Sequence, residues 1–232
     1  VSNYTPVPEI QPPENPLLRK YNMADRERLV SKMHASILPV ENITLGLSVD
    51  YATDDYSDTQ IGLTDGSEFS IHADAAMLLT ETTNLHFFVG QQKIQSNQAG
   101  SQALSTPDWF ADNDDTITTA GIGITQRINE QIDIGADFTV SRSVGEVTVT
   151  SGGIPSVFPD NVTNLDSLKL YANYQFKEAM SLYFGYWYES YDSSNWALDG
   201  VAPDTIPTLL SFGTESPSYD VSVIALALRY QF

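Results

Sequence analysis

Leu168-Lys169-Leu170-Tyr171-Ala172-Asn173-Tyr174-Gln175-Phe176 alternates without a slip. Leu168, Leu170, Ala172, Tyr174 and Phe176 share one face, and Lys169, Tyr171, Asn173 and Gln175 share the other. Successive side chains of an extended chain point to opposite sides, so the stretch is a strand with one apolar and one polar face. Upstream, Ile132, Ile134, Ala136, Phe138 and Val140 alternate with Asp133, Gly135, Asp137, Thr139 and Ser141. Near the end, Ile224, Leu226, Leu228, Tyr230 and Phe232 share a face. Weaker alternation extends the set to about nine strands, near 25–37, 43–51, 67–79, 85–94, 115–127, 131–143, 165–176, 181–191 and 219–232. Most exceed the roughly 5–6 residues usual in globular sheets. They match the length that crosses a bilayer at a tilt.

The connections alternate in length. Segments 39–42, 80–84, 128–130 and 177–180 are short, whereas 54–66, 96–114, 144–164 and 192–218 are long. Short turns at one rim and long loops at the other are the layout of an outer-membrane barrel, with periplasmic turns and extracellular loops. A soluble sandwich has no reason to sort its connections this way. The expected fold is therefore all-β, a transmembrane antiparallel β-barrel segment of about nine strands. Residues 1–23 carry Pro6, Pro8, Pro12, Pro13 and Pro16 and read as an extended extracellular arm or loop, leaving 24–232 as barrel strands. If the last strand ends at the periplasmic rim, nine strands place the start of the first outside the cell. Bacterial barrels normally have an even strand count, so this parity marks the chain as part of a larger barrel.

Composition narrows the function classes. Among 232 residues, 30 are acidic and 11 basic, a formal charge of −19, which argues against nucleic-acid binding. Cysteine is absent, which excludes disulfide scaffolds, thiolate metal sites, cysteine nucleophiles and covalently attached c-type haem. No apolar run approaches the roughly 18 residues of a spanning helix. The charge is also localised. Stretches 54–68, 96–115, 145–166 and 192–220 hold 17 of the acidic residues and no Lys or Arg. The expected extracellular rim thus carries most of the negative charge, an arrangement that favours divalent cations and a partner with a basic docking face.

A charge on the lipid side at the bilayer midplane costs a few kcal/mol, so the polar faces must line the lumen. They carry Lys32, His34, Asp50, His72, Asp74, Arg127, Asp133, Asp137, Lys169, Glu189 and Arg229, together with Gly46, Gly90, Gly121, Gly123, Gly135 and Gly185. The inward glycines leave room either for bulky contents or for backbone bending. His34, His72 and His86 lack metal-ligand spacing and read as lumen-facing polar residues. Asp54, Asp55, Asp58 and Asp65 lack Ca²⁺-loop spacing and read as a solvated loop, with divalent bridging to anionic lipopolysaccharide as the alternative. Tyr171, Tyr183, Trp187 and Tyr191 lie on inward faces, where they either contact a protein in the lumen or fill the wall itself. Tyr174, Phe176, Tyr230 and Phe232 lie outward near the turn side, as an interfacial aromatic girdle would. Leu228, Tyr230 and Phe232 resemble the assembly signal that closes bacterial outer-membrane barrels. No catalytic, cofactor-binding or metal-ligating set is found, so no enzyme activity is expected.

Several strings are more specific than alternation. Asn15-Pro16-Leu17-Leu18-Arg19-Lys20-Tyr21-Asn22-Met23-Ala24-Asp25-Arg26 resembles part of the MtrB/PioB family of outer-membrane barrels. So do Asp50-Tyr51-Ala52-Thr53-Asp54-Asp55-Tyr56-Ser57-Asp58-Thr59 with Ile61-Gly62-Leu63-Thr64, and Ser105-Thr106-Pro107-Asp108-Trp109. Asn195-Trp196-Ala197-Leu198-Asp199-Gly200-Val201 through Pro203-Asp204-Thr205-Ile206-Pro207 is the best match, and the resemblance runs from Asn15 to Phe232. It implies a location in the bacterial outer membrane and the C-terminal portion of a longer barrel. It further implies a periplasmic multihaem cytochrome sheathed in the lumen and an extracellular multihaem cytochrome at the loop side. Electrons would then cross the outer membrane through haems carried by the partners, with none bound by this chain. The alternatives are a diffusion porin or small-solute channel, and a surface adhesin or scaffold barrel acting through its loops.

Overall fold

The computed structural model describes residues 15–20, 22–103, 105–198 and 218–231. Residues 1–14 of the arm, Phe232 and most of the 192–218 connection lie outside them.

Nine long strands form one antiparallel sheet: β1 (Glu27–Val40), β2 (Ile43–Asp55), β3 (Gly62–Thr80), β4 (Thr83–Gly100), β5 (Trp109–Asn129), β6 (Ile132–Ser151), β8 (Asn161–Lys177), β9 (Met180–Ser194) and β10 (Tyr219–Tyr230). A short β7 (Ile154–Val157) folds back on β6. Each long strand pairs with its chain neighbours, in the order β1-β2-β3-β4-β5-β6-β8-β9-β10. The sheet does not close among the described residues, so β1 and β10 are its two edges.

The strands run farther than alternation indicates. Segments 54–66, 96–114 and 144–164, expected as loops, are largely strand: β4 reaches Gly100, β5 begins at Trp109 and β6 reaches Ser151. Here the outward face, apolar lower down, turns mostly polar, with Gln95, Asn97, Asp112, Asp114, Glu146 and Thr148. Above the lipid nothing requires an apolar face, so the sequence period fades while the backbone ladder continues.

At the other end, four two-residue turns recur: Glu41-Asn42, Glu81-Thr82, Glu130-Gln131 and Glu178-Ala179. A register shift precedes each one, at Ile37/Val40, Leu78/Thr80, Arg127/Asn129 and Gln175/Lys177. The second turn residue then accepts a backbone hydrogen bond from the next hairpin. Leu78 N–H reaches Asn42 O at 2.9 Å, Arg127 reaches Thr82 at 2.8 Å, Gln175 reaches Gln131 at 2.8 Å and Gln231 reaches Ala179 at 2.9 Å. Repetition of this link gives a regular rim whose turns step by two residues per hairpin.

The sheet is a single layer without a conventional core. Only Ala52, Ile61, Ala99 and Ala111 are buried among described apolar residues, while Ile224 and Leu226 are 72% and 71% exposed. In water such a surface would drive aggregation, whereas in lipid it is the contact face. Register places the apolar residues together in rows, such as Ile37, Leu45, Ala75, Phe87, Ile122, Phe138 and Leu168.

The described part of the arm lies across the loop rim. Leu18 bridges Ile61, Arg19 N–H donates to Ile61 O at 2.8 Å, and Asn15 Nδ2 donates to Ser105 O at 2.9 Å. Gly62 makes the approach possible: its φ is 125°, and a Cβ there would collide with Arg19 O. Gly62→Val should therefore release the arm, with strain of about 1–3 kcal/mol at the backbone alone. Trypsin cleavage after Arg19 and Lys20, followed by mass spectrometry, is expected to accelerate about tenfold.

Candidate functional site

The inner face of the sheet carries the polar groups, and glycines organise it. Gly123 on β5 lies between His86 on β4 and Asp137 on β6 in one row. A Cβ at Gly123 would strike both side chains, which meet over it with His86 Nε2 3.3 Å from Asp137 Oδ1. Tyr171 on β8 lies over Gly135 on β6, and its hydroxyl meets Thr125 Oγ1 on β5 at 3.1 Å. Asp74 covers Gly46, His72 covers Gly90, Phe88 covers Gly121 and Tyr183 covers Gly185 in the same way. The room left by each glycine is thus taken by a neighbouring side chain lying against the wall. A side chain that lies across the backbone instead of standing off it keeps the inner wall thin.

The histidines are inward but separate. His34 Nδ1 meets Ser48 Oγ at 2.9 Å, His72 tilts against Phe88 with ring centroids 6.0 Å apart, and His86 faces Asp137. No group of three His, Cys, Asp or Glu side chains able to hold a metal occurs among the described residues. The acidic loop is also divided. Asp54 points inward and binds Arg26 at 2.7 Å and Arg28 at 3.1 Å, while Asp55 opposes Asp65 on the outer face. The hydrogen bond that Arg26 donates to the Asp54 carboxylate raises the Arg26 pKa above its ordinary value. Asp65 accepts from Asn97, and Asp58 lies in the β2–β3 connection.

The four inward aromatics gather on one side, over β8 and β9. Lys169 Nζ lies 5.4 Å from the Trp187 ring centroid, and Trp187 Nε1 donates to Ser167 Oγ at 2.9 Å. Arg229 stacks 4.8 Å above Tyr183, and Tyr191 stacks on Tyr219 at 5.2 Å. The adjoining inner face of β10 is apolar, with Val221, Val223, Ala225 and Ala227. Each aromatic thus packs partly on the wall, while Trp187 remains 37% exposed toward the lumen. The inner wall is two-sided in character: charged and polar from β2 to β6, and from β8 to β10 rich in aromatics set among Lys169, Glu189 and Arg229. Sequence reading found the inward glycines and aromatics. It missed the pairings over the glycines, since these depend on register between three strands. Outward, Leu228 pairs with Leu182, Tyr230 with Met180, and Tyr174 lies 6.1 Å from Phe176 at the turn rim.

The sequence profile of the family described as outer membrane beta-barrel porin, MtrB/PioB, matches residues 1–232. Outer membrane protein MtrB of Shewanella baltica (strain OS185) is 34% identical over 219 residues, covering 94% of this chain and 31% of that protein. The chain thus spans about a third of this curated relative's length. Among solved structures, the copper transporter OprC overlays with a TM-score of 0.66 at 10% identity, covering 88% of this chain and 34% of that one. BauA, the ferric preacinetobactin receptor of Acinetobacter baumannii, overlays with a TM-score of 0.62 at 11% identity, covering 88% and 37%. These two likenesses establish the fold, that of outer-membrane barrels.

Proposed function

The chain belongs to the MtrB/PioB family of outer-membrane β-barrels, and from that premise we propose that it forms part of the wall of a barrel sheathing a multihaem cytochrome. In this reading the four Glu-led turns face the periplasm and the acidic extended hairpins face outward from the cell. The open edges β1 and β10 pair with further strands of the full-length protein, and Leu228, Tyr230 and Phe232 serve as its assembly signal. The periplasmic cytochrome occupies the lumen, with Tyr171, Tyr183, Trp187 and Tyr191 touching it. An extracellular multihaem cytochrome docks at the acidic loop rim. The chain contributes no catalytic residue and no cofactor ligand, because redox chemistry resides in the partners' haems.

The observation that carries this reading is the inner wall, where six glycines are each covered by a flattened neighbour. A wall built this way lets a protein pass close to the backbone while presenting polar atoms to it. The test is purification of the full-length protein from its native membrane. It is expected to co-elute with a haem protein and show Soret absorbance, whereas the chain produced alone shows none. A complete, haem-free protein that conducts ions steadily in a planar bilayer would overturn the reading and favour a diffusion porin, to which the family's own description points.

A further inference from the structure

The outer face has an upper boundary that the register makes measurable. Lys93 is the tenth residue after Thr83, where β4 begins, and Arg142 is the tenth after Ile132, where β6 begins. Both strands start directly after a two-residue turn, so the two side chains stand at one height above the turn rim. Ten residues at about 3.4 Å each, along a strand tilted by about 40°, rise about 26 Å, close to the height of the apolar band of an outer-membrane barrel. Asp166 on β8 pairs with Ser190, the tenth residue after Met180, and lies at the same level. Below the polar pair Gln91 and Thr118, the outward side chains of β4 to β6 are apolar across three successive rows. They form the rows Val89-Ala120-Val140, Phe87-Ile122-Phe138 and Leu85-Ile124-Ala136.

Lys93 and Arg142 differ from most of the inner-face cations; Lys32, in register with Asp50, is the exception that also makes no ion pair or hydrogen bond among the described residues. Arg28, Arg127, Lys169 and Arg229 each lie against a carboxylate or a ring. Lys93 and Arg142 are exposed, and among the described residues neither makes an ion pair or hydrogen bond, in a chain with 30 acidic residues. They stand two strands apart, about 12 Å around the wall. Between them β5 presents the hydroxyls of Thr116 and Thr118, and Gln91 donates to Thr118 at 3.5 Å. Acidic side chains begin one or two outward positions higher, at Asp114 and Glu146, and Asp166 bounds the patch beyond Arg142.

We infer that Lys93, Thr116, Thr118 and Arg142 form a docking site for the phosphorylated headgroup of a glycolipid in the outer leaflet. The cations and hydroxyls take the phosphate oxygens, the carboxylates above set the depth by repulsion, and the apolar rows below receive the acyl chains. This site depends on the membrane-spanning fold and is independent of what fills the lumen.

The full-length barrel in phosphatidylcholine nanodiscs, titrated with fluorescent diphosphorylated lipid A, tests it. Each cation near a membrane surface contributes about fivefold, so Lys93→Gln with Arg142→Gln should weaken binding about 30-fold. The charge-preserving exchange Lys93→Arg with Arg142→Lys should stay within about threefold of the parent. Dephosphorylated lipid A should bind the unaltered protein as weakly as lipid A binds the double glutamine variant. Equal binding of phosphorylated and dephosphorylated lipid to the unaltered protein would overturn the proposal without reliance on any variant. Unchanged binding by a double glutamine variant that retains heat-modifiable gel migration would overturn it equally.

Discussion

Phe138→Arg or Leu170→Arg in the full-length protein should abolish stable insertion, while Thr139→Arg should leave it intact. Phe138 is the sixth residue after Ile132, and Leu170 pairs with Tyr186, the sixth after Met180, so both stand near the middle of the apolar band on the outer face. An arginine there costs about 2–4 kcal/mol at the midplane, or about 30-fold to nearly 1,000-fold in the folded population. The sequence itself supplies the control. Lys169, one residue from Leu170, already holds a cation at the same depth on the lumen side, where it lies over Trp187 and in register with Asp137. Thr139 shares that inner face with Gly121 and Ser167. Heat-modifiable migration in gels and the amount recovered from outer membranes measure the contrast. Equal recovery of all three variants would mean that the outer face does not meet lipid.

Gly123→Leu and Gly135→Leu are expected to act on the lumen instead of the wall. A side chain at position 123 must displace His86 and Asp137, and one at position 135 must displace the Tyr171 ring. These are the far ends of flexible side chains, free to swing into the lumen, so the stability cost should stay within the 1–3 kcal/mol typical of overpacking. The displaced rings and carboxylate then stand several ångströms off the wall, in the path of a close-fitting occupant. If a cytochrome is sheathed there, its recovery with the barrel should fall at least tenfold while barrel assembly persists. Gly152→Leu, at a hairpin tip, strains a backbone with φ of 59° but puts no side chain in the lumen, so cytochrome recovery is expected to persist. Normal cytochrome recovery in both lumen variants would remove the close-fitting sheath.

Much of this protein is legible before folding is considered. Lipid on one side and water on the other impose a period of two, so Leu168–Phe176 and Ile132–Val140 declare both strand and face by themselves. The same demand separates inward Lys169 and Asp137 from outward Leu170 and Phe138. The concentration of acidic residues between strands reveals the loop rim without coordinates. Where the demand lapses, so does the signal: β4 beyond Gln95 is polar on both faces, and beyond Val144 the outward face of β6 turns polar with Glu146, Thr148 and Thr150, so the continuation of both strands is plain only in the ladder.

The sequence alone determined the architecture, the two faces and the address of the charge, because each is a property of one strand and its solvent. The tertiary structure alone decided what depends on register between strands. That covers which side chain crosses which glycine, how His86 finds Asp137 and Tyr171 finds Thr125, and that Lys93 and Arg142 stand at one height. A strand's own pattern is unchanged by sliding it two residues past its neighbour, so only the repeated turns, which set that offset, could fix these relations.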